Sequence, residues 1–165
     1  MLAEFPDIDR EAIVYCGGSH GGFLGAHLIA KYPDVYKAAV LRNPVTNLVE
    51  EVSTADIPDW VYAEAGLPYR STLRKEDLDK LYALSPISND LSKIKTPTLL
   101  LLGAKDRRVP PSQGLQFYRG LQAAGVKSKV YWFPTQSHPI DDPGCNADCW
   151  INSALWYHDA LKNTY

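Results

Sequence analysis

The chain has 165 residues, 45% of them hydrophobic and 22% charged, which suits one domain with a buried core and reads as soluble and globular rather than disordered overall. Its 17 Lys and Arg against 19 Asp and Glu leave a net charge of −2, so there is no electrostatic basis for binding nucleic acid or an anionic membrane. No apolar run reaches the length of a membrane span, and the acidic start MLAEFPDIDRE lacks a signal core; with three cysteines and no Asn-x-Ser/Thr site, this points to the cytoplasm.

Residues 11–16, EAIVYC, form a short apolar run closed by glycine and read as a buried strand. HGGFLGAHLIAKY (20–32) reads as a helix stopped by Pro33, and VYKAAVLR (35–42) as a second strand. From 43 to 74 the pattern is patchy and reads as loops with a short helix near DWVYAEAG. KEDLDKLYAL (75–84) is helical and ends before Pro86. TPTLLLLG (96–103) is a continuous apolar run, as expected of a parallel strand covered on both faces. A helix over 111–125 closes on Gly125, KSKVYWF (127–133) is a fourth strand, and DCWINSALWYHDALK (148–162) is the last helix.

Strands alternate with helices of crossover length, so the fold class is α/β, with about four parallel strands and helices on both faces. In such sheets active residues gather at the carboxyl ends of the strands. The places to look are just after Cys16, Arg42, Gly103 and Phe133.

After the first strand comes Gly17-Gly18-Ser19-His20-Gly21, a G-x-S-x-G set between a strand and a helix. That is the context of a nucleophile elbow, a strained turn that exposes the serine hydroxyl at the top of the sheet. Small flanking residues let the helix fold back over the strand, and Gly21, Gly22 and Gly25 are expected to extend that close packing. The helix N-terminus favours a developing oxyanion, with the His20 backbone N–H as one donor. Neither G-x-G-x-x-G nor a Walker pattern fits here, although a purely structural glycine turn stays open.

Serine needs a base and an orienting acid, which in this fold class follow in the order Ser, Asp, His. GAKDRRVP after the third strand places Asp106, and PTQSHPI after the fourth places His138. His20 and His27 precede the acid, and His158 lies inside the last helix. Asp141 and Asp142 are read as capping a turn, and without its partners Asp106 would be an ordinary loop acid. Cys145 and Cys149 are four apart, not a standard zinc spacing, and nothing calls for a metal or cofactor.

The stretches GGSHGGF, RNPV, STADIPDW, TPTLLLLGAKDRRVP and SHPI resemble the prolyl oligopeptidase group of serine peptidases, most closely its acylaminoacyl peptidases. The resemblance runs from about Glu11 to the last helix and implies a catalytic triad of Ser19, Asp106 and His138. It further implies hydrolysis that releases N-acylated amino acids from short blocked peptides, in a cytoplasmic and often homo-oligomeric enzyme without cofactor. By the same resemblance Arg108 binds a substrate carbonyl and Trp60 walls the specificity pocket; the alternatives are a surface arginine and a core tryptophan. Members carry an N-terminal β-propeller and a full α/β-hydrolase domain. Residues 1–165 therefore correspond to the C-terminal half of that fold, a partial catalytic domain with propeller, first strands and second oxyanion donor absent and the strand at 11–16 an unpaired edge. A related esterase or lipase and a non-catalytic fragment that pairs with a longer partner are the competing readings.

Overall fold

A computed structural model describes residues 4–5, 7–70 and 72–162. Four strands form its sheet: β1 (Val14–Gly18), β2 (Ala38–Arg42), β3 (Thr98–Gly103) and β4 (Ser128–Phe133). All neighbours pair in parallel and the spatial order follows the chain, β1-β2-β3-β4. Each step is bridged by helices: α1 (His20–Lys31) follows β1, then α2 (Leu48–Thr54), α3 (Trp60–Glu64) and α4 (Lys75–Leu84) follow β2. Helix α5 (Pro111–Ala123) joins β3 to β4, and α6 (Pro143–Lys162) closes the described chain.

The alternation of side chains along the strands divides the core into two layers. Ala39, Leu41, Leu100 and Leu102 face α1 and α5, where they meet Ala26, Ile29, Phe117 and Leu121. Val40, Leu99 and Leu101 face the other way, toward Ile140 and Cys149 of the α6 side. Every residue of β3 is buried, which is why its sequence is apolar without alternation. A third cluster of Phe23, Val45, Leu48, Val61, Ala65, Leu81 and Val109 packs α2, α3 and α4 together. Among the described residues β1 pairs only with β2, so it lies at the sheet edge, as expected.

Several boundaries differ from the sequence reading. The segment 43–74 holds α2 as well as the anticipated helix, now α3. The signal for α2 is local: the Asn47 side chain accepts hydrogen bonds from the Val49 and Glu50 N–H groups, and Glu50 and Glu51 occupy the first turn. Helix α6 starts at Pro143, five residues earlier than expected, because Asp142 accepts the Cys145 N–H and Pro143 suits a first helical turn. Asp142 thus caps a helix rather than a turn. The first strand runs on to Gly18, so Ser19 follows β1 without a spacer.

Candidate active site

Ser19 sits between β1 and α1 with φ 56° and ψ −120°, a backbone region that non-glycine residues rarely adopt. Such a conformation costs of order 1–3 kcal/mol and persists only where the surroundings over-determine it. Here the Ser19 N–H donates to the Arg42 carbonyl at 2.9 Å, and its own carbonyl accepts the Phe23 N–H at 3.1 Å. The strand behind the turn must be bare of side chain: a Cβ on Gly17 would lie 2.5 Å from the Gly21 carbonyl oxygen. Gly21 itself departs from expectation, since a Cβ there meets nothing within 4 Å. The absence of a side chain matters at Gly17, Gly22 and Gly25 instead: the Gly21 carbonyl lies against Gly17 of the strand, but a Cβ on Gly21 would point into open space.

His20 opens α1, so its N–H is among those with no carbonyl partner inside the helix. Its ring stacks on Phe23 at 5.4 Å and reaches the Glu64 carboxylate at 2.9 Å.

Asp106 and His138 come from two different strand ends and meet. His138 Nδ1 lies 2.7 Å from Asp106 Oδ2. The other carboxylate oxygen, Oδ1, accepts the N–H groups of Arg108 at 2.8 Å and Val109 at 3.0 Å. With Asp106 buried and acting as acceptor on both oxygens, Nδ1 carries the imidazole proton and Nε2 is left free to accept one. His138 lines the same surface cleft as Ser19, together with Cys16, Gly17, Gly18, Arg42 and Pro139.

Sequence reasoning assigned no role to Arg42 and Asn43, yet both hold the loop that carries His138. The Asn43 side-chain amide donates to the His138 carbonyl at 2.8 Å, and its Oδ1 accepts the Gly103 N–H at 2.8 Å. Arg42 Nη2 donates to the Ile140 carbonyl at 3.2 Å. The loop also lies flat on the end of β3: a Cβ on Gly103 would sit 2.6 Å from the Ser137 carbonyl oxygen. The one available signal was place, since Asn43 directly follows β2 at the carboxyl edge of the sheet.

Beside Ser19 opens a cavity of about 250 Å³ with largely apolar walls, lined by Ser19, His20, Val45, Glu51, Ile57, Trp60, Arg108 and Val109. Trp60 and Arg108 are therefore brought to the same cavity. Arg108 is forked onto Asp56, with Nε 2.5 Å from Oδ1 and Nη2 3.3 Å from Oδ2. Hydrogen bonding to Arg108 holds the Asp56 carboxyl below its ordinary range. Glu51, which the sequence did not single out, is wholly buried here and its carboxyl is pushed up to about 8. Burial is the main cause; the Gln113 amide and the nearby Trp60 indole oppose it, and the charges of Asp106 and Glu50 add to it.

The model of the prolyl oligopeptidase family matches residues 1–164. The chain belongs to the prolyl oligopeptidase family. Among curated members of that family, the acylamino-acid-releasing enzyme of Arabidopsis thaliana is 46% identical over 157 residues, covering 93% of this chain and 20% of the relative. The Mus musculus acylamino-acid-releasing enzyme is 42% identical over 159 residues, covering 93% of this chain and 21% of its own. The chain thus spans about a fifth of the length of these relatives. An acylaminoacyl peptidase solved in complex with Z-Gly-Gly-Phe-chloromethyl ketone superposes with a TM-score of 0.73 at 26% identity, over 87% of this chain and 22% of that one. The α/β-hydrolase fold of this family accounts for the parallel sheet and its flanking helices. No helix of the described residues is long and apolar enough to cross a membrane.

Proposed function

We propose that the chain is catalytic machinery of a serine peptidase that releases N-acylated amino acids from blocked peptides, with Ser19 as nucleophile, His138 as general base and Asp106 as its orienting acid. The observation that carries this reading is the 2.7 Å Asp106–His138 contact in a cleft shared with the strained Ser19 turn. The names of the relatives, acylamino-acid-releasing enzymes, support the substrate class.

The chemistry follows from the protonation pattern. His138 Nε2 takes the Ser19 proton as the hydroxyl oxygen attacks the substrate carbonyl carbon. Asp106 holds the ring in the Nδ1–H tautomer and stabilises the imidazolium that forms. The His20 N–H, at the positive end of α1, donates to the tetrahedral oxyanion. His138 then returns the proton to the leaving amine, and water attacks the acyl-enzyme with the same base. In this scheme the cavity walled by Trp60 receives the side chain of the acylated residue, and Arg108 faces the substrate backbone from the rim.

Three unpaired thiols, Cys16, Cys145 and Cys149, favour a reducing compartment such as the cytoplasm. The test of the catalytic reading is a fluorophosphonate probe, followed by N-acetyl-alanyl and free alanyl anilides. Labelling at Ser19 and preferential release from the acetylated substrate are expected. An unlabelled serine in the folded protein would overturn the assignment.

A further inference from the structure

Among the described residues, three non-glycine residues have a positive φ: Ser19 at 56°, Asn43 at 41° and Ile140 at 46°. Each lies beyond the carboxyl end of a strand, Ser19 after β1, Asn43 after β2 and Ile140 in the loop after β4. Strained backbone of this kind gathers at active sites and persists only where the surroundings over-determine it. Two of the three are accounted for, since Ser19 is the elbow and Asn43 ties the His138 loop to β3. Ile140 is the least suited to its conformation, because asparagine tolerates left-handed backbone and a β-branched side chain crowds it. A glycine or an asparagine would sit there with less strain, so the isoleucine is held by what its side chain does. That side chain is fully buried with Val40, Leu99, Leu101, Phe133 and Cys149, between the sheet and α6. The Ile140 carbonyl accepts Arg42 Nη2 at 3.2 Å, and its N–H donates to the Ser137 carbonyl at 3.3 Å. The last bond closes a turn with His138 and Pro139 at its two central positions.

We propose that Ile140 is a positioning residue, whose buried side chain anchors the turn that sets the His138 ring against Asp106. The inference rests on the reading of His138 as general base. The turn is gripped at both ends. Its Ser137 end lies on β3, where a Cβ on Gly103 would meet the Ser137 carbonyl oxygen at 2.6 Å. Its Ile140 end is plugged into the core, and Pro139 stiffens the single link between that plug and the base. Left-handed backbone at Ile140 is what directs the side chain into the core while the carbonyl stays on Arg42. Glycine at this position relieves the backbone and removes the plug together, so the turn can still form but nothing fixes where it lies. A base displaced by a fraction of the distance to its partner loses much of its effect, so loosening of this turn is read in the chemistry before it is read in the fold.

The test follows two readouts in the folded chain: the rate of fluorophosphonate labelling at Ser19, and the NMR signal of the Nδ1 proton between His138 and Asp106. Ile140→Gly is expected to label at least about fivefold more slowly and to lose that signal to exchange with water. Ile140→Val keeps a β-branched anchor and restores most of the rate. Leu99→Ala opens a hole in the same cluster, at the end of β3 away from Asp106, and is expected to lose stability in urea while labelling within about twofold of wild type. A smaller effect in Ile140→Gly overturns the proposal. So does a valine variant as slow as the glycine one, or equal slowing in Leu99→Ala, which would make the effect one of core packing. Should Ile140→Gly fail to fold, Arg42→Met decides, since it removes the donor to the Ile140 carbonyl and leaves the plug in place. It is expected to slow labelling by about threefold or more and to broaden the proton signal, and a smaller change overturns the proposal. The proton signal reports the grip on the ring without any chemistry, so a failure here is distinct from a failure of the base assignment, which labelling of His138→Gln at the wild-type rate would reveal.

Discussion

Asn43 bridges the loop of His138 to the end of β3, donating to the His138 carbonyl and accepting from the Gly103 N–H. Its own φ of 41° and its 2% exposure show a residue held in place for that bridge. Asn43→Ala leaves a buried N–H and a carbonyl without partners, at a cost of about 1–3 kcal/mol in stability. It also frees the loop that sets the His138 ring against Asp106. Fluorophosphonate labelling of Ser19 should slow by about tenfold or more in the folded variant, since sub-ångström displacement of a base is felt strongly. Urea unfolding measures the first effect and labelling rates, taken well below the unfolding midpoint, the second. A variant that is destabilised yet labels at the wild-type rate would show that Asn43 serves the fold alone.

The three residues assigned to chemistry should fail in distinguishable ways. Ser19→Ala removes the labelled oxygen and leaves the strained backbone of the turn as it is, so labelling vanishes while unfolding is little changed. Asp106→Asn keeps the shape but replaces an acceptor with a donor opposite His138 Nδ1, which favours the wrong tautomer. The labelling rate should drop by about 10³–10⁴. It also weakens the two N–H bonds at the Arg108 and Val109 turn, so some stability is lost as well. His138→Gln abolishes the base without touching that turn. Equal labelling by Asp106→Asn and wild type would remove Asp106 from the site.

The parts of this fold that the sequence made legible are those governed by short-range rules. TLLLLG reads as a doubly covered strand because its burial on both faces removes any alternation, and KEDLDKLYAL reads as a helix from its own ten residues and from Pro86 just beyond them. The meeting of Asp106 with His138 is legible because parallel topology dictates where a strand must end. Helix α2 was missed although Asn47 caps it, since Val, Ser and Thr in LVEEVST weaken the helical pattern and its stability comes from packing on α4 and Phe23. The roles of Asn43 and Glu51 depend on partners about sixty or more residues away, Gly103, His138 and Gln113, and no local pattern announces such contacts.

The elbow offers a contrast between two glycines of one motif. A Cβ on Gly17 meets backbone atoms of Gly21 at 2.5 and 2.7 Å, and backbone cannot give way without shifting α1 off the sheet. Gly17→Ala should therefore cost at least about 2 kcal/mol and disturb the Ser19 turn. Gly21→Ala places its methyl in open space within the first turn of α1, where alanine favours the helix by up to about 1 kcal/mol over glycine. Thermal unfolding of the two variants should move in opposite directions. Equal destabilisation would mean that the close approach at Gly17 is not what shapes the turn.

The buried carboxyl of Glu51 gives a prediction whose sign can be worked out. In the unfolded chain it titrates near 4.5; in the native state burial raises it to about 8, with Asp106 and Glu50 pushing the same way and the Gln113 amide and Trp60 indole opposing. Between those values the unfolded chain has released a proton that the native protein still holds. Raising the pH through that window therefore favours unfolding. The stabilisation linked to the protonated side chain is fully present below about 4.5 and is lost progressively as the pH rises to about 8. Glu51→Gln keeps an acceptor for Gln113 and has no proton to lose. Wild type should thus lose stability relative to Glu51→Gln from pH 5 to pH 8, by an amount on the order of a few kcal/mol, since each tenfold difference in proton affinity between the two states is worth about 1.4 kcal/mol. Urea unfolding of both proteins at several pH values across that range measures it, and parallel profiles would mean that Glu51 is ionised in the native protein.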